Sequence, residues 1–437
     1  MRVEQPVLPL SKAAFAAALR KGHGRAIQHI ESHGANGFEG IIIEASVFCS
    51  SYDPQLEAPR APWLFSIVDR VKLNAKVVQS IRAMESMPPP ESCRDSDSRS
   101  AILKELAASG SEDARRLLYA SLAIFPNTAT VISADEIITL DGVDGLMYVA
   151  RQMGQWLHAD PDFWVDDSII TTFDGCTGSK GGLAALEREA TVDCDIANYL
   201  ACMRKTHDGF IGSSPQPPGM AFTGHEVVAY IKSQPKDRCY WLRAWGTKAS
   251  DDQREVVFAA LLASQEPEQV KRLLRCFAKT GVPRFESRLL RWIDHSDAQV
   301  QRAAVAALAS MTHGELRQVA QRLIAGGNVA NGVALLVKNF CEGDFAMCSE
   351  HLSPFDDADE MHHVGEEVLG LCEAHPGHEA LDCLLYVYEF SPCSTCRTRA
   401  VKALIGTNTA PAWVLAESVF DADPDTRALV RAYGSFT

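Results

Sequence analysis

The sequence predicts an all-α fold, an α-solenoid of stacked antiparallel helix pairs with an irregular, loop-rich middle segment. Three observations lead to this prediction. Apolar residues recur every three or four positions through most of the chain. Serine, aspartate and glycine stand between these stretches, where helix caps are expected. The connections in the C-terminal half are short, which makes consecutive helices antiparallel neighbours.

Length and composition limit the class of protein. A chain of 437 residues is too long for one compact core, so several domains or an elongated array are expected. Its 46% hydrophobic and 22% charged residues are typical of an ordered protein. The formal net charge of -14 disfavours binding to nucleic acid and to anionic membrane surfaces.

The location is predicted from the start of the chain and from its cysteines. The first ten residues contain two prolines and a glutamate and no apolar signal segment, and no apolar run is long enough to span a bilayer. Thirteen cysteines, an odd number, are scattered along the chain, several within apolar helical patterns. This usage favours reduced, buried cysteines in the cytoplasm over a disulfide framework.

Residues 1–85 are predicted to form an N-terminal helical domain. Ser11 is placed to cap a helix over 12–20, and a second helix follows over 25–33. A buried helix is expected over 38–50, then a loop fixed by three prolines, then one long helix over 63–84. Three consecutive prolines make residues 86–97 the predicted linker to the next domain.

Residues 98–249 are predicted to be helical with long glycine- and proline-rich inserts. Helices are expected over 98–109 and 111–124, and a helical stretch over 183–204 with a break near 191–193. The inserts at 172–182 and 209–219 are predicted loops, and long loops within a compact array are often functional.

Residues 250–437 are predicted to form a repeat array in which one pattern recurs. Asp297 can cap a helix whose buried stripe is Val300, Ala304 and Leu308. A cap of the same kind stands at Ser111, Ser250, Cys393 and Asp423. The predicted helices are 251–263, 267–280, 283–293, 298–311, 315–325, 328–340, 361–374, 377–388, 394–405, 411–420 and 424–433.

This recurring unit resembles the HEAT-like repeats of the PBS-lyase type, in which an acidic cap precedes a buried valine and small apolar residues. The resemblance implies a continuous core and a long curved face that is free to bind another molecule. The leading hypothesis is therefore a non-enzymatic scaffold or adaptor whose partner is another protein or peptide.

Two alternatives remain open. Some HEAT-like proteins are alkylpurine DNA glycosylases, which implies a nucleic-acid-binding or DNA-repair function. A lyase-like or regulatory enzyme subunit would use the inserts at 172–182 and 209–219. The sequence contains no recognisable triad, paired-carboxylate motif or nucleotide-binding loop, so no catalytic residue and no cofactor is predicted.

Cysteines and histidines near the C-terminus suggest zinc ligands. Cys393 and Cys396 have the spacing of a ligand pair, and Cys372, His375 and His378 precede them. A helix over 377–388 would separate the two groups by about 18 Å, so they cannot share one metal. The favoured interpretation has Cys396 buried on a helix stripe, Cys393 at the helix start, His362 and His363 at an exposed helix start, and no bound metal.

The proline-fixed loop offers candidates for a binding surface. Asp53, Gln55, Glu57 and Arg60 precede Trp63, and rigid polar residues beside an aromatic can bind a partner. The alternative, which we favour, is that an arginine–carboxylate pair holds the loop against neighbouring helices.

Overall fold

The computed structural model describes residues 3–85, 93–125, 130–211, 219–234 and 237–434. Helices dominate these residues, which confirms the all-α class. The only strands in the described ranges are β1 (Ala123–Ile124) and β2 (Val131–Ile132), an antiparallel pair that the sequence did not predict.

The chain divides into two compact units. The N-terminal unit comprises residues 6–214 and 417–427, and the C-terminal unit comprises residues 1–5, 215–416 and 428–437. These boundaries differ from the predicted ones at 85, 98 and 250. No boundary falls at the predicted linker, because helices on both sides of it pack together. The helix that begins at Cys93 contacts those at Glu39–Val47 and Ala61–Arg70. Residues 86–92 of that linker lie outside the described residues.

The N-terminal unit begins with short helices, as predicted. Its helices are α1 (Lys12–Lys21), α2 (Arg25–His33), α3 (Glu39–Val47), α4 (Ala61–Arg70), α5 (Asn74–Glu85), α6 (Cys93–Ala108), α7 (Glu112–Ala120), α8 (Ala134–Asp141), α9 (Val143–Ala159), α10 (Ser168–Thr177), α11 (Gly182–Glu189) and α12 (Cys194–Ile211). The prediction of one helix over 63–84 was wrong. Lys72 adopts a left-handed backbone conformation with φ of 58°, which ends α4 and lets α5 start in a new direction.

The glycine-rich insert at 172–182 is shorter than predicted. Residues 172–177 complete α10, and the connection to α11 is only residues 178–181. Asp174 closes it by accepting hydrogen bonds from the backbone N–H groups of Gly181 (3.0 Å) and Gly182 (2.8 Å). In the second predicted insert, residues 209–211 belong to α12 and residues 212–218 lie outside the described residues.

The last part of the chain returns to the N-terminal unit through residues 417–427. The backbone N–H of Ala422 donates to the carbonyl of Gly22 (2.9 Å), and the Trp63 indole donates to the carbonyl of Phe420 (2.9 Å). Ala422 packs in the same apolar core as Phe15 and Leu19.

The C-terminal unit contains α13 (Gly224–Ser233), α14 (Leu242–Lys248), α15 (Asp251–Ala263), α16 (Pro267–Arg275), α17 (Ala298–Leu308), α18 (Gly314–Ala325), α19 (Val329–Leu336), α20 (Asp344–His351), α21 (Ala358–Ala374), α22 (Leu381–Phe390), α23 (Ser394–Gly406) and most of α24 (Ala412–Ser418); α25 (Pro424–Gly434) begins in one unit and ends in the other. Helix α20 was not predicted. The helices predicted over 267–280, 298–311 and 328–340 end earlier, and 283–293 holds only a 3-10 turn, Ser287–Trp292.

Most of the predicted caps and stripes are present locally, but the Cys393 side chain makes no capping hydrogen bond, so the cap predicted there was wrong. Ser11, Ser111, Ser250 and Asp297 each accept a hydrogen bond from the first turn of their helix. Val300, Ala304 and Leu308 are fully buried, as are Ala400 and Leu404. The stripe residues therefore belong to the core and are not available to a partner.

In the C-terminal unit α18 packs on α19, and both α21 and α23 pack on α22; in addition, helices pack on the next helix but one. Helix α17 contacts α19, α19 contacts α21, and α21 contacts α23; in the same way α18 contacts α20 and α20 contacts α22. Among the described residues, no helix combines the length and apolar character needed to cross a bilayer.

Candidate functional site

The proline-fixed loop of the N-terminal unit is held by its own charged residues. Glu57 and Arg60 form an ion pair (3.3 Å) with side chains 0% and 6% exposed, and Arg60 also donates to the carbonyls of Leu19 (3.3 Å) and Arg20 (3.1 Å). Trp63 is 5% exposed. These three candidates are therefore buried, and the arginine–carboxylate alternative describes their geometry.

The other two loop candidates lie nearer to solvent. Asp53 is half-buried and accepts a hydrogen bond from the backbone N–H of Gln55 (3.0 Å), and Gln55 is exposed. Leu56 beside them is 76% exposed. Of the five candidates, Gln55 is therefore the most accessible to a partner.

A cavity of about 210 Å³ lies beneath this loop. Burial, together with the negative charges of Asp135 and Asp97, raises the pKa of Glu136 to about 7, and burial and Asp135 also raise the pKa of Asp97. The cavity is smaller than the ~300–1,000 Å³ of most ligand sites. Both apolar and charged side chains line it, including Phe48, Cys49, Leu64, Arg94, Asp97, Ile102 and Glu136.

A cluster of metal-ligating side chains lies in the C-terminal unit. Within the described residues it is the one group of three or more His, Cys, Asp or Glu side chains close enough to share an ion. It consists of His362, Cys393 and Cys396, whose candidate ligand atoms all lie within 4.8 Å of one another. His362 is on α21, Cys393 immediately precedes α23, and Cys396 is in the first turn of α23.

The cluster is formed at the contact between α21 and α23. His362 Nδ1 lies 3.7 Å from Cys396 Sγ. Cys393 is 5% exposed and Cys396 is 1% exposed, whereas His362 is half-buried. The hydrogen bond with Cys393, burial and the charge of Glu366 raise the pKa of the Cys396 thiol.

Glu366 lies beside the cluster, in contact with Cys396, although it is not one of the three residues whose ligand atoms lie within 4.8 Å of one another. Its Oε1 accepts a hydrogen bond from Cys396 Sγ (3.4 Å) and another from Arg399 Nη1 (2.7 Å). Arg399 also pairs with both carboxylate oxygens of Glu373 (2.9 and 2.8 Å). The side chain of Glu366 is therefore fixed in position beside both a thiol and a guanidinium.

The earlier cysteine and histidine candidates do not join this cluster. His375 Nε2 lies 2.8 Å from the carbonyl of Val337 and its ring stacks on Phe340, while His378 is exposed. Cys372 interacts instead with Cys383, and this hydrogen bond, with burial, raises the pKa of the Cys383 thiol. His375 and His378 precede α22, whereas Cys393 and Cys396 follow it, so the helix keeps these two groups apart as predicted.

Sequence reasoning missed His362 as a member of the cluster and Glu366 beside it. The sequence predicts an exposed helix start at His362, but α21 begins at Ala358, which places His362 in its second turn. Glu366 follows four residues later and therefore lies on the same side of the helix. The signal that would have found them is a His-x-x-x-Glu pair on one helix combined with a Cys-x-x-Cys pair on another.

No family model matches the chain, and no similar protein is found among the curated proteins or the solved structures. The resemblance to HEAT-like repeats therefore stays a prediction that rests on the recurring caps and stripes.

Proposed function

We propose that this chain is a non-enzymatic scaffold that binds another protein or peptide on an exposed helical face of its C-terminal unit. The observation that carries the proposal is the alternate packing of α17, α19, α21 and α23, and of α18, α20 and α22. Contacts of this kind between a helix and the next helix but one are typical of a two-row solenoid. A solenoid buries its core between the rows and leaves one side of each row free for a partner.

The charge on these helices favours a protein partner over nucleic acid. Arg302 on α17 and Lys402 on α23 are exposed, but Glu366 on α21 is exposed as well. Arg399 on α23 pairs with Glu366 and Glu373 and is therefore neutralised. A phosphate backbone needs a continuous basic surface, whereas mixed charges suit the polar rim of a protein interface.

The enzyme alternative has less support from the positions of its residues. The first insert assigned to it, 172–182, is mostly the end of α10 and the start of α11. The DNA-binding alternative conflicts with the mixed charge on α21 and α23. The scaffold hypothesis is thus the one that the geometry supports best.

The proposal can be tested by affinity capture with the full chain as bait at low salt, combined with light scattering of the purified chain. The double variant Arg302→Glu, Lys402→Glu should lose partners or self-association that the wild type shows. The control Arg116→Glu, Arg204→Glu makes the same charge change at exposed sites of the N-terminal unit and should retain them.

Two results would contradict the scaffold function. One is a wild-type chain that captures no protein and stays monomeric at low salt. The other is an equal loss of binding in both double variants, which would show that overall charge, and not this face, is responsible.

A further inference from the structure

We infer that the C-terminal unit binds one divalent transition-metal ion of the zinc class through Cys393, Cys396, His362 and Glu366. The inference goes beyond the scaffold hypothesis, because metal binding does not depend on a partner. It rests on the geometry of two ligand pairs, one from each of two helices that pack together.

The first ligand pair is the Cys-x-x-Cys at the start of α23. Ser391 fixes the backbone just before it: its hydroxyl accepts a hydrogen bond from the N–H of Cys393 (3.3 Å) and donates to the carbonyl of Cys393 (3.4 Å). One cysteine thus stands before the helix and the other in its first turn. This spacing is the one with which structural zinc sites present two thiolates to a single ion.

The second ligand pair is His362 and Glu366, four residues apart on α21. Side chains with this spacing lie one above the other on the same side of a helix. Helix α21 packs directly on α23, so the pair faces the two cysteines. His362 and the two cysteines therefore converge from two directions. Glu366, beside Cys396, is the side chain that would complete a tetrahedral set by turning toward them.

The distances suit a tetrahedral ion. Zinc binds sulfur at about 2.3 Å and nitrogen or oxygen at about 2.0–2.2 Å, so tetrahedral donor atoms lie roughly 3.4–3.8 Å apart. The separation of His362 Nδ1 from Cys396 Sγ is 3.7 Å, and that of Glu366 Oε1 from Cys396 Sγ is 3.4 Å. The ligand atoms of His362, Cys393 and Cys396 lie within 4.8 Å of one another, and small side-chain rotations would bring them into the same range.

The charges of the ion and the two thiolates also balance. Binding of M²⁺ would displace one proton from each thiol to solvent, so that two thiolates neutralise the ion and His362 adds no charge. Glu366 contributes one negative charge, and Arg399, 2.7 Å from its Oε1, supplies one positive charge that it shares with Glu373. Outer partners of this kind fix the orientation of a ligand. Soft thiolates with an imidazole select zinc-like ions over magnesium or calcium.

The exposure of the ligand side chains decreases from Glu366 to the cysteines, which leaves a path for an ion to enter. The two cysteines are enclosed, at 5% and 1% exposure, whereas His362 is half-buried and Glu366 is exposed. An ion can therefore approach along the side of Glu366 and reach the thiols.

The test is metal titration of the full chain, purified under reducing conditions, with Zn²⁺ and with Co²⁺ as separate probes. We expect one equivalent of Zn²⁺ per chain by elemental analysis after dialysis. Bound Co²⁺ should show a thiolate-to-metal charge-transfer band and the intense visible bands of a tetrahedral site. An octahedral Co²⁺ spectrum or no retained metal would overturn the inference.

Matched variants locate the site. The double variant Cys393→Ser, Cys396→Ser should abolish the thiolate band, while Cys372→Ser, Cys383→Ser removes the same number of buried cysteines and should keep it. His362→Gln should weaken Zn²⁺ binding much more than His363→Gln. Glu366→Gln should weaken it by removing a ligand. Arg399→Gln should weaken it by roughly 10–100-fold, as expected for the loss of an outer partner.

Folding is checked separately, because a cysteine variant that unfolds would also lose metal. His362→Gln and Glu366→Gln change partly exposed side chains, and circular dichroism should show their helix content unchanged. If these folded variants bind Zn²⁺ as tightly as the wild type does, the proposed ligand set is wrong.

Discussion

Replacement of Glu417 with alanine tests how residues 417–427 are fixed to the N-terminal unit. The side chain of Glu417 is 2% exposed, and its Oε1 lies 2.9 Å from Arg25 Nε and 2.9 Å from His23 Nδ1. Arg25 is 8% exposed. The substitution therefore leaves a guanidinium without this carboxylate in a site that water scarcely reaches.

The expected loss of stability is about 4 kcal/mol. Two unit charges 2.9 Å apart attract each other by about 6 kcal/mol at an effective dielectric constant of about 20, before the cost of removing them from water. Removal of one partner from a buried ion pair costs about 3–5 kcal/mol in measured cases, mainly because the other charge stays buried. Glu417→Gln keeps an acceptor oxygen, so we expect a smaller loss, about 2 kcal/mol.

The measurement is hydrogen exchange of peptides from α1, α2 and residues 417–427 during urea unfolding. A chain of two units does not unfold in one step, and exchange reports each segment separately. Glu31→Ala is the control, because the Glu31–Arg70 pair lies in the same unit but is 38% and 44% exposed. It should cost at most about 1 kcal/mol. Equal, small losses in both variants would refute the role assigned to Glu417.

Three further predictions follow from the same structure. Gly24→Ala should destabilise the N-terminal unit by about 1–3 kcal/mol in urea unfolding, because its Cβ would lie 2.0 Å from the carbonyl oxygen of Glu417. Gly40→Ala should be neutral or stabilising, because among the described residues its Cβ would meet no atom within 4 Å apart from its own chain neighbours and helix backbone. The pKa of Glu136 is raised from 4.5 to about 7, so the unfolded chain ionises first and stability should fall as pH rises from about 5 to 7. Glu136→Gln should remove that fall. At pH 8 the free energy of unfolding of the variant, measured with urea, should exceed that of the wild type by up to about 3 kcal/mol, and near pH 4.5 the two should not differ. Chelation of the inferred metal should lower the melting temperature of the C-terminal unit. If the free metal concentration was about 100 times its Kd, the unit should lose about 2.7 kcal/mol of stability. An unchanged melting curve would argue against a structural ion.

The parts of the fold that the sequence predicted are those set by neighbouring residues. Ser250 and Asp297 cap their helices because a side-chain oxygen reaches free N–H groups only two or three residues away. The burial of Val300, Ala304 and Leu308 follows from the helical period alone. Where a local signal was weak, the prediction failed: Lys72 breaks the helix predicted over 63–84 without any glycine or proline.

The candidate site could not be predicted from neighbouring residues, because its members lie far apart along the chain. His362 and Cys396 are separated by 34 positions, and only the packing of α21 on α23 places their ligand atoms 3.7 Å apart. Likewise, nothing near Glu417 indicates that it would meet Arg25, which is 392 positions away. The sequence by itself determined the helical class, the caps and the buried stripes, because these depend on residues within one or two turns. The tertiary structure alone decided which faces meet, because helix packing brings together side chains whose chemistry is visible only as a group.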